Sequence, residues 1–107
     1  MSVQEKIKST VTSNPVVLFM KGSPQMPMCG FSATATQILQ LCGVENFIAV
    51  DVLQDPEIRQ GIKEFANWPT IPQLYVNGEF VGGSDIMREM YQSGELQKML
   101  ENAKKPS

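Results

Sequence analysis

Val16-Val17-Leu18-Phe19-Met20 runs into Lys21-Gly22-Ser23-Pro24-Gln25-Met26-Pro27-Met28 and then Cys29-Gly30-Phe31-Ser32, and this passage decides the fold. Five consecutive apolar residues are the pattern of a strand buried on both faces. The loop after them ends in a cysteine where a helix begins: Ala33, Ala35, Ile38, Leu39 and Leu41 follow Phe31, and Gly43 stands where a helix would stop. A thiol at a helix N-terminus meets unpaired N–H groups and the positive end of the helix dipole, and both favour the thiolate. Three residues on, where a dithiol redox site would carry its second cysteine, stands Ser32.

Working outward, Val3, Ile7 and Val11 recur every four residues and predict an amphipathic helix over residues 2–13, stopped by Asn14-Pro15. On the other side, Phe47-Ile48-Ala49-Val50-Asp51-Val52 reads as a second strand, which closes a right-handed β-α-β unit with its two strands parallel. Asp55 as N-cap and Pro56 at the first helical position open a helix to about Ala66, ended by Asn67-Trp68-Pro69. Pro72–Val76 and Glu79–Val81 flank Asn77-Gly78, a strong hairpin signal. Gly82-Gly83 then breaks the strand, and Ser84-Asp85 offers N-cap chemistry to a helix carrying Ile86, Met87, Met90 and Tyr91 as far as Ser93-Gly94. Glu95–Ala103 is a last helix, and Lys104-Lys105-Pro106-Ser107 reads as a flexible polar tail. This order predicts an α/β thioredoxin-like fold, a mixed four-stranded sheet packed by helices on both faces.

Composition narrows the function. A chain of 107 residues, 42% hydrophobic and 19% charged, reads as one domain, 1–107, with a single compact core. A net charge of -2 argues against nucleic acid, which is held by an excess of Lys and Arg on one face. No apolar run is long enough to span a membrane, and Met1–Lys6 has neither the apolar stretch of a secretory signal nor the Arg-rich character of a transit peptide. The expected location is cytoplasmic, provided no leader has been trimmed. In a reducing compartment Cys29 and Cys42 stay thiols; Cys42 is expected in the core. The chain has no histidine, which removes Cys–His nucleophilic pairs, histidine acid–base chemistry and histidine metal ligands together.

Phe19-Met20-Lys21-Gly22, Cys29-Gly30-Phe31-Ser32, Arg59, Asn67-Trp68-Pro69-Thr70-Ile71-Pro72-Gln73, Asn77-Gly78-Glu79 and Gly82-Gly83-Ser84-Asp85 jointly resemble the monothiol glutaredoxins of the CGFS type, over residues 16–91. The resemblance implies a [2Fe–2S] cluster bound with glutathione. Such a cluster takes four thiolate ligands; two chains would supply two Cys29 thiolates and two glutathiones the other pair. The implied function is a cluster-bridged homodimer that hands its cluster to apo iron–sulfur proteins and pairs with BolA-type proteins. The alternative is a glutathione-dependent oxidoreductase in which Cys29 attacks mixed disulfides, a reaction in which the CGFS class is typically poor.

The resemblance also implies a glutathione groove. Lys21 and Arg59 would face the glycyl carboxylate, with Lys63 one helical turn beyond Arg59 joining them. Thr70, Ile71 and Pro72 resemble a cis-proline corner, whose Ile71 backbone would pair with the cysteinyl unit as a short added strand; the plain alternative is a trans proline opening a strand. Gly82, Gly83, Ser84 and Asp85 would receive the γ-glutamyl end, helix-start N–H groups taking its carboxylate and Asp85 its ammonium. N-capping by Ser84 or Asp85 and a bulge at the glycines are the ordinary readings of the same residues. Many relatives carry cysteine at position 84, and with Ser84 an internal disulfide to Cys29 is closed off. Trp68 is expected on a partly exposed loop, Met26 and Met28 on an apolar rim, and Met20, Met87, Met90 and Met99 in packing or rim positions.

Overall fold

In the computed structural model, which describes residues 2–44 and 46–104, the apolar run Val16–Met20 forms a strand, β1, buried along its whole length. Ile48–Asp51 (β2) pairs with it in parallel, Val17 opposite Ile48 and Phe19 opposite Val50. Gln73–Val76 (β3) pairs antiparallel on the other side, Val17 opposite Tyr75 and Phe19 opposite Gln73. Glu79–Gly82 (β4) completes the sheet in the order β2-β1-β3-β4. Asn77 and Gly78 join β3 to β4 with φ of 53° and 82°, the positive pair that a two-residue hairpin turn requires.

Because side chains alternate along a strand, β1 feeds two cores. Val16, Leu18 and Met20 pack with Leu39, Leu74, Met87, Leu96 and Leu100 beneath helices Gly30–Leu41 (α2), Ser84–Ser93 (α4) and Glu95–Lys104 (α5). Val17 and Phe19 pack with Ile7, Val11, Ile62 and Tyr75 beneath Val3–Ser13 (α1) and Pro56–Ala66 (α3). The expected mixed sheet with helices on both faces is therefore what this chain forms. Leu18 and Val17, neighbours in sequence, are sealed into different interiors.

Several local expectations shift. The second strand is shorter at both ends than Phe47–Val52; at its C-terminal end the Asp51 side chain accepts the Leu53 N–H at 3.0 Å and Val52–Gln54 forms a 3-10 turn. Asp55 caps α3, accepting from Glu57 and Ile58 N–H at 3.0 and 3.3 Å. Neither Ser84 nor Asp85 is the N-cap of α4: Gly83 holds that position and its carbonyl accepts the Met87 N–H at 3.0 Å, which places Ser84 and Asp85 in the first turn. The bulge reading holds beside it, since Leu74 pairs with Gly82 and Tyr75 with Phe80, leaving Val81 extra. Gly82 has φ of 153°, and a Cβ there would lie 2.7 Å from the Ile86 Cβ. Cys42 is the C-cap of α2, only partly buried, and packs against the edge of the first core instead of inside it. The last helix runs one residue past Ala103, so Lys104 belongs to α5 and not to the tail, and residues 105–107 lie outside the described residues.

Candidate functional site

The loop between β1 and α2 folds as a miniature hairpin. Met28 N–H donates to the Lys21 carbonyl at 2.9 Å, Gly22 pairs with Pro27, and Ser23 and Met26 exchange backbone hydrogen bonds at 3.2 and 3.1 Å across Pro24-Gln25. Gly22 has φ of +88°, and a Cβ there would lie 2.5 Å from the Met26 carbonyl oxygen, so only glycine fits the turn. Two side chains from elsewhere hold this hairpin. The fully buried Ser32 hydroxyl accepts the Lys21 N–H at 3.0 Å, and Asp51 at the end of β2 accepts the Gly22 N–H at 2.9 Å. The Gly22 N–H, followed by Leu53 N–H and the Gln54 amide, holds the Asp51 carboxyl below its ordinary value against a smaller opposing effect of desolvation.

Cys29 is the N-cap of α2 and is partly exposed. Its thiol is held below the ordinary cysteine value, first by the Ser32 N–H and then by the Phe31 N–H, the Lys21 charge and the Ser32 hydroxyl, against partial burial, which acts the other way. The first-turn N–H groups of α2 are thus the main donors facing the sulfur, and with the Lys21 charge they favour the thiolate. Ser32 thus occupies the second-cysteine position as a structural residue facing the thiol and tying down the loop.

Cys29 opens onto a groove of about 460 Å³. Its walls bring together nine of the residues expected from sequence: Lys21, Cys29, Lys63, Thr70, Ile71, Pro72, Gly83, Ser84 and Asp85. Arg59 stands apart, exposed on α3 one turn before Lys63 and outside the lining. The Ile71–Pro72 peptide bond is cis, and among the described residues no partner takes up the Ile71 N–H or C=O. A Cβ on Gly83 would lie 3.2 Å from the Pro72 carbonyl oxygen and 3.8 Å from the Trp68 indole nitrogen, so the glycine keeps that wall slim. At the far end the first turn of α4 brings the N–H groups of Ser84 and Asp85, the unpaired donors of any helix start.

Phe31, Trp68, Pro69 and Ile86 also line the groove, and the sequence reading assigned none of them a binding role. The apolar character of Phe31, Pro69 and Ile86 is the usual signal of core, and only its exposure in place distinguishes Phe31, whereas Trp68 stands partly exposed as its loop position predicts. Trp68 lies on its loop, more than a third exposed at 38%, with its ring 5.7 Å from that of Phe80. Met26, Met28 and Phe31 are the most exposed of the groove's apolar neighbours, at 70%, 64% and 61%, and the first two stand on the hairpin beside Cys29. Of the remaining methionines, Met20 and Met87 are fully buried, and Met90 and Met99 pack against the first core.

Chemically the groove is a slot with cationic side chains from Lys21 and Lys63, a thiolate-favouring sulfur, and a helix start with one carboxylate. That suits an extended peptide carrying carboxylates at both ends and an ammonium at one. Among the described residues no three His, Cys, Asp or Glu side chains come together to hold a metal ion, and no helix is long and apolar enough to cross a membrane.

Residues 16–81 match the family model for glutaredoxin. A monothiol glutaredoxin from Synechocystis is 64% identical over 98 residues, 92% of this chain and 91% of that one. Glutaredoxin 4 from Escherichia coli is 57% identical over 90% of this chain and 83% of its own length, and the mitochondrial monothiol glutaredoxin-5 of Schizosaccharomyces pombe is 56% identical over 91% and 68%. Among solved structures, reduced apo GrxS14 from poplar superposes with a TM-score of 0.81 at 50% identity, covering 94% of this chain and 92% of that one. A truncated Trypanosoma brucei 1-C-Grx1 gives 0.83 at 44% identity, over 95% and 92%.

Proposed function

We propose, on the premise that this chain belongs to the monothiol branch of the glutaredoxin family, that it carries a glutathione-ligated [2Fe–2S] cluster between two copies of itself and delivers it to apo iron–sulfur proteins. The observation that carries the reading is the single partly exposed thiol of Cys29 at the mouth of a peptide-shaped groove, with Ser32 in the second-cysteine position. One chain offers one ligand there, and a cluster needs four; a second Cys29 and two bound glutathiones complete the set. The donor chemistry fits, because thiolate is the donor iron–sulfur clusters take and the Cys29 surroundings favour that form. A set borrowed in part from a small molecule exchanges readily, which suits cargo.

Glutathione is held by this chain's own groups. Lys21 and Lys63 take the glycyl carboxylate, with Arg59, one helical turn before Lys63, adding positive charge from outside the lining. The unengaged Ile71 N–H and C=O pair with the cysteinyl unit, Thr70 and Pro72 shape the corner, and Gly83, Ser84 and Asp85 receive the γ-glutamyl end. A BolA-type protein takes the second copy's place in a mixed dimer, and the working location is the cytoplasm.

The test is anaerobic reconstitution with iron, sulfide and glutathione, read by visible absorbance and by oligomeric state. A coloured dimer is expected, lost in Cys29→Ser and kept in Cys42→Ser; a colourless monomer from the unaltered chain overturns the reading. The lowered thiol of Cys29 also favours a second activity, removal of glutathione from mixed disulfides. The Cys29 thiolate attacks the glutathione sulfur and the protein thiolate leaves; a glutathione thiolate then attacks the Cys29–glutathione disulfide, giving oxidised glutathione and restoring Cys29. Turnover of a glutathionylated peptide measures it.

A further inference from the structure

Gln73 is the residue beside the groove that neither the lining nor the proposed chemistry uses. It lies in β3, fully buried, and a buried primary amide is costly unless its donors and acceptor are engaged. Here they are. The amide nitrogen donates to the Trp68 carbonyl at 3.2 Å and to the Thr70 carbonyl at 3.1 Å, and the amide oxygen accepts the Tyr75 hydroxyl at 3.1 Å. Only this orientation of the amide satisfies all three partners.

Two of the partners of Gln73 are backbone carbonyls of the groove wall formed by Trp68, Pro69 and Thr70. By drawing in the carbonyls of Trp68 and Thr70, the amide fixes the course of the chain through Pro69 to the Ile71 corner. Tyr75 stands two residues along the same strand, on the same face. Its ring is held by Phe19, Phe65 and Phe80 at centroid distances of 5.6, 5.9 and 5.5 Å. Phe80 in turn packs at a tilt of 54° against Trp68, with centroids 5.7 Å apart. The wall is thus gripped twice, through its main chain by Gln73 and through its indole by Phe80, and both grips return to Tyr75.

We infer that Gln73, backed by Tyr75, is a positioning residue that presets the Trp68–Thr70 wall, so that glutathione affinity depends on a buried amide that does not touch the ligand. The inference rests on the glutathione groove proposed above. Trp68 is the chain's single tryptophan, so its fluorescence reports the wall with and without ligand.

The experiment compares Gln73→Met, which keeps the length and removes the donors, with Tyr75→Phe and with Val16→Ala, a core variant on β1 whose side chain packs in the other interior, away from Tyr75. Far-ultraviolet circular dichroism establishes that each is folded at the assay temperature. Emission and acrylamide quenching of Trp68 are read first without ligand, then glutathione is titrated. In Gln73→Met we expect altered quenching and an affinity about 10-fold weaker, in Tyr75→Phe an affinity about threefold weaker, and in Val16→Ala neither change, in keeping with the loss of buried hydrogen bonds. Affinity within twofold of the unaltered chain in Gln73→Met overturns the inference, as does an affinity loss with Trp68 unmoved or one shared by Val16→Ala. If the unaltered chain binds no glutathione, the groove reading fails and ligand-free quenching alone decides whether Gln73 sets the wall. Should Gln73→Met not fold, Tyr75→Phe carries the same comparison.

Discussion

The Ser32 hydroxyl accepts the Lys21 N–H from a fully buried position, so replacing it removes a partner the backbone cannot regain from water. Ser32→Ala should cost about 1–2 kcal/mol of stability, the usual penalty for an orphaned buried donor, measured as the urea midpoint. The same variant keeps the Ser32-position N–H, the foremost cause of the lowered Cys29 thiol; the pH midpoint of Cys29 alkylation by iodoacetamide should therefore stay below the ordinary thiol range. Stability falling while reactivity holds would separate the two parts Ser32 plays. Gly22→Ala is expected to be harsher, because the added Cβ meets the Met26 carbonyl and a left-handed φ at once. Glutathione titration of that variant should show the loss of the Lys21 side of the groove. Position 32 could be read from sequence as the absence of a cysteine, but its bond to Lys21 could not, since the partners are brought together only by the loop's own turn.

At the scale of elements, the β1–α2 hairpin is attached to the end of β2 through Asp51. The Asp51 carboxyl is held low chiefly by the Gly22 N–H, so its contribution is fully present above the ordinary carboxylate value and is lost as pH falls through the lowered folded value. Asp51→Asn keeps an oxygen for Gly22 and cannot titrate; its urea midpoint should fall less steeply than that of the unaltered chain on acidification. Equal slopes would mean that other carboxylates govern the acid limb. The α3 N-cap is a simpler case. Asp55→Ala removes the acceptor for Glu57 and Ile58 N–H and should cost about 0.5–2 kcal/mol, visible as a lowered melting temperature. That cap was legible because Asp-Pro is a local signal. The α4 cap differs from the sequence expectation for a complementary reason: Ser84-Asp85 carries the same chemistry, but the chain leaves β4 through Gly82 and Gly83 takes the N-cap, which puts Ser84 first in the helix.

Across the whole molecule, the sheet separates two interiors, and stability should divide accordingly. Ile7→Val beneath α1 and Ile38→Val beneath α2 should each cost about 0.5–1.5 kcal/mol, and the double variant should equal their sum within about 0.5 kcal/mol, as for sites sharing no partner. A larger discrepancy would show strain passing through β1. Sequence alone determined the order of elements, the parallel β1–β2 and antiparallel β3–β4 pairings, and the placing of Cys29 at a helix start, because these follow from periodicity, caps and an Asn-Gly turn within a few residues of one another. Only the tertiary structure decided that Lys63 joins the lining while Arg59 does not, that Trp68 and Phe31 face the groove, and that Asp51 and Gln73 hold its walls. Those depend on helix rotation and on hydrogen bonds between separate segments, which no local pattern encodes.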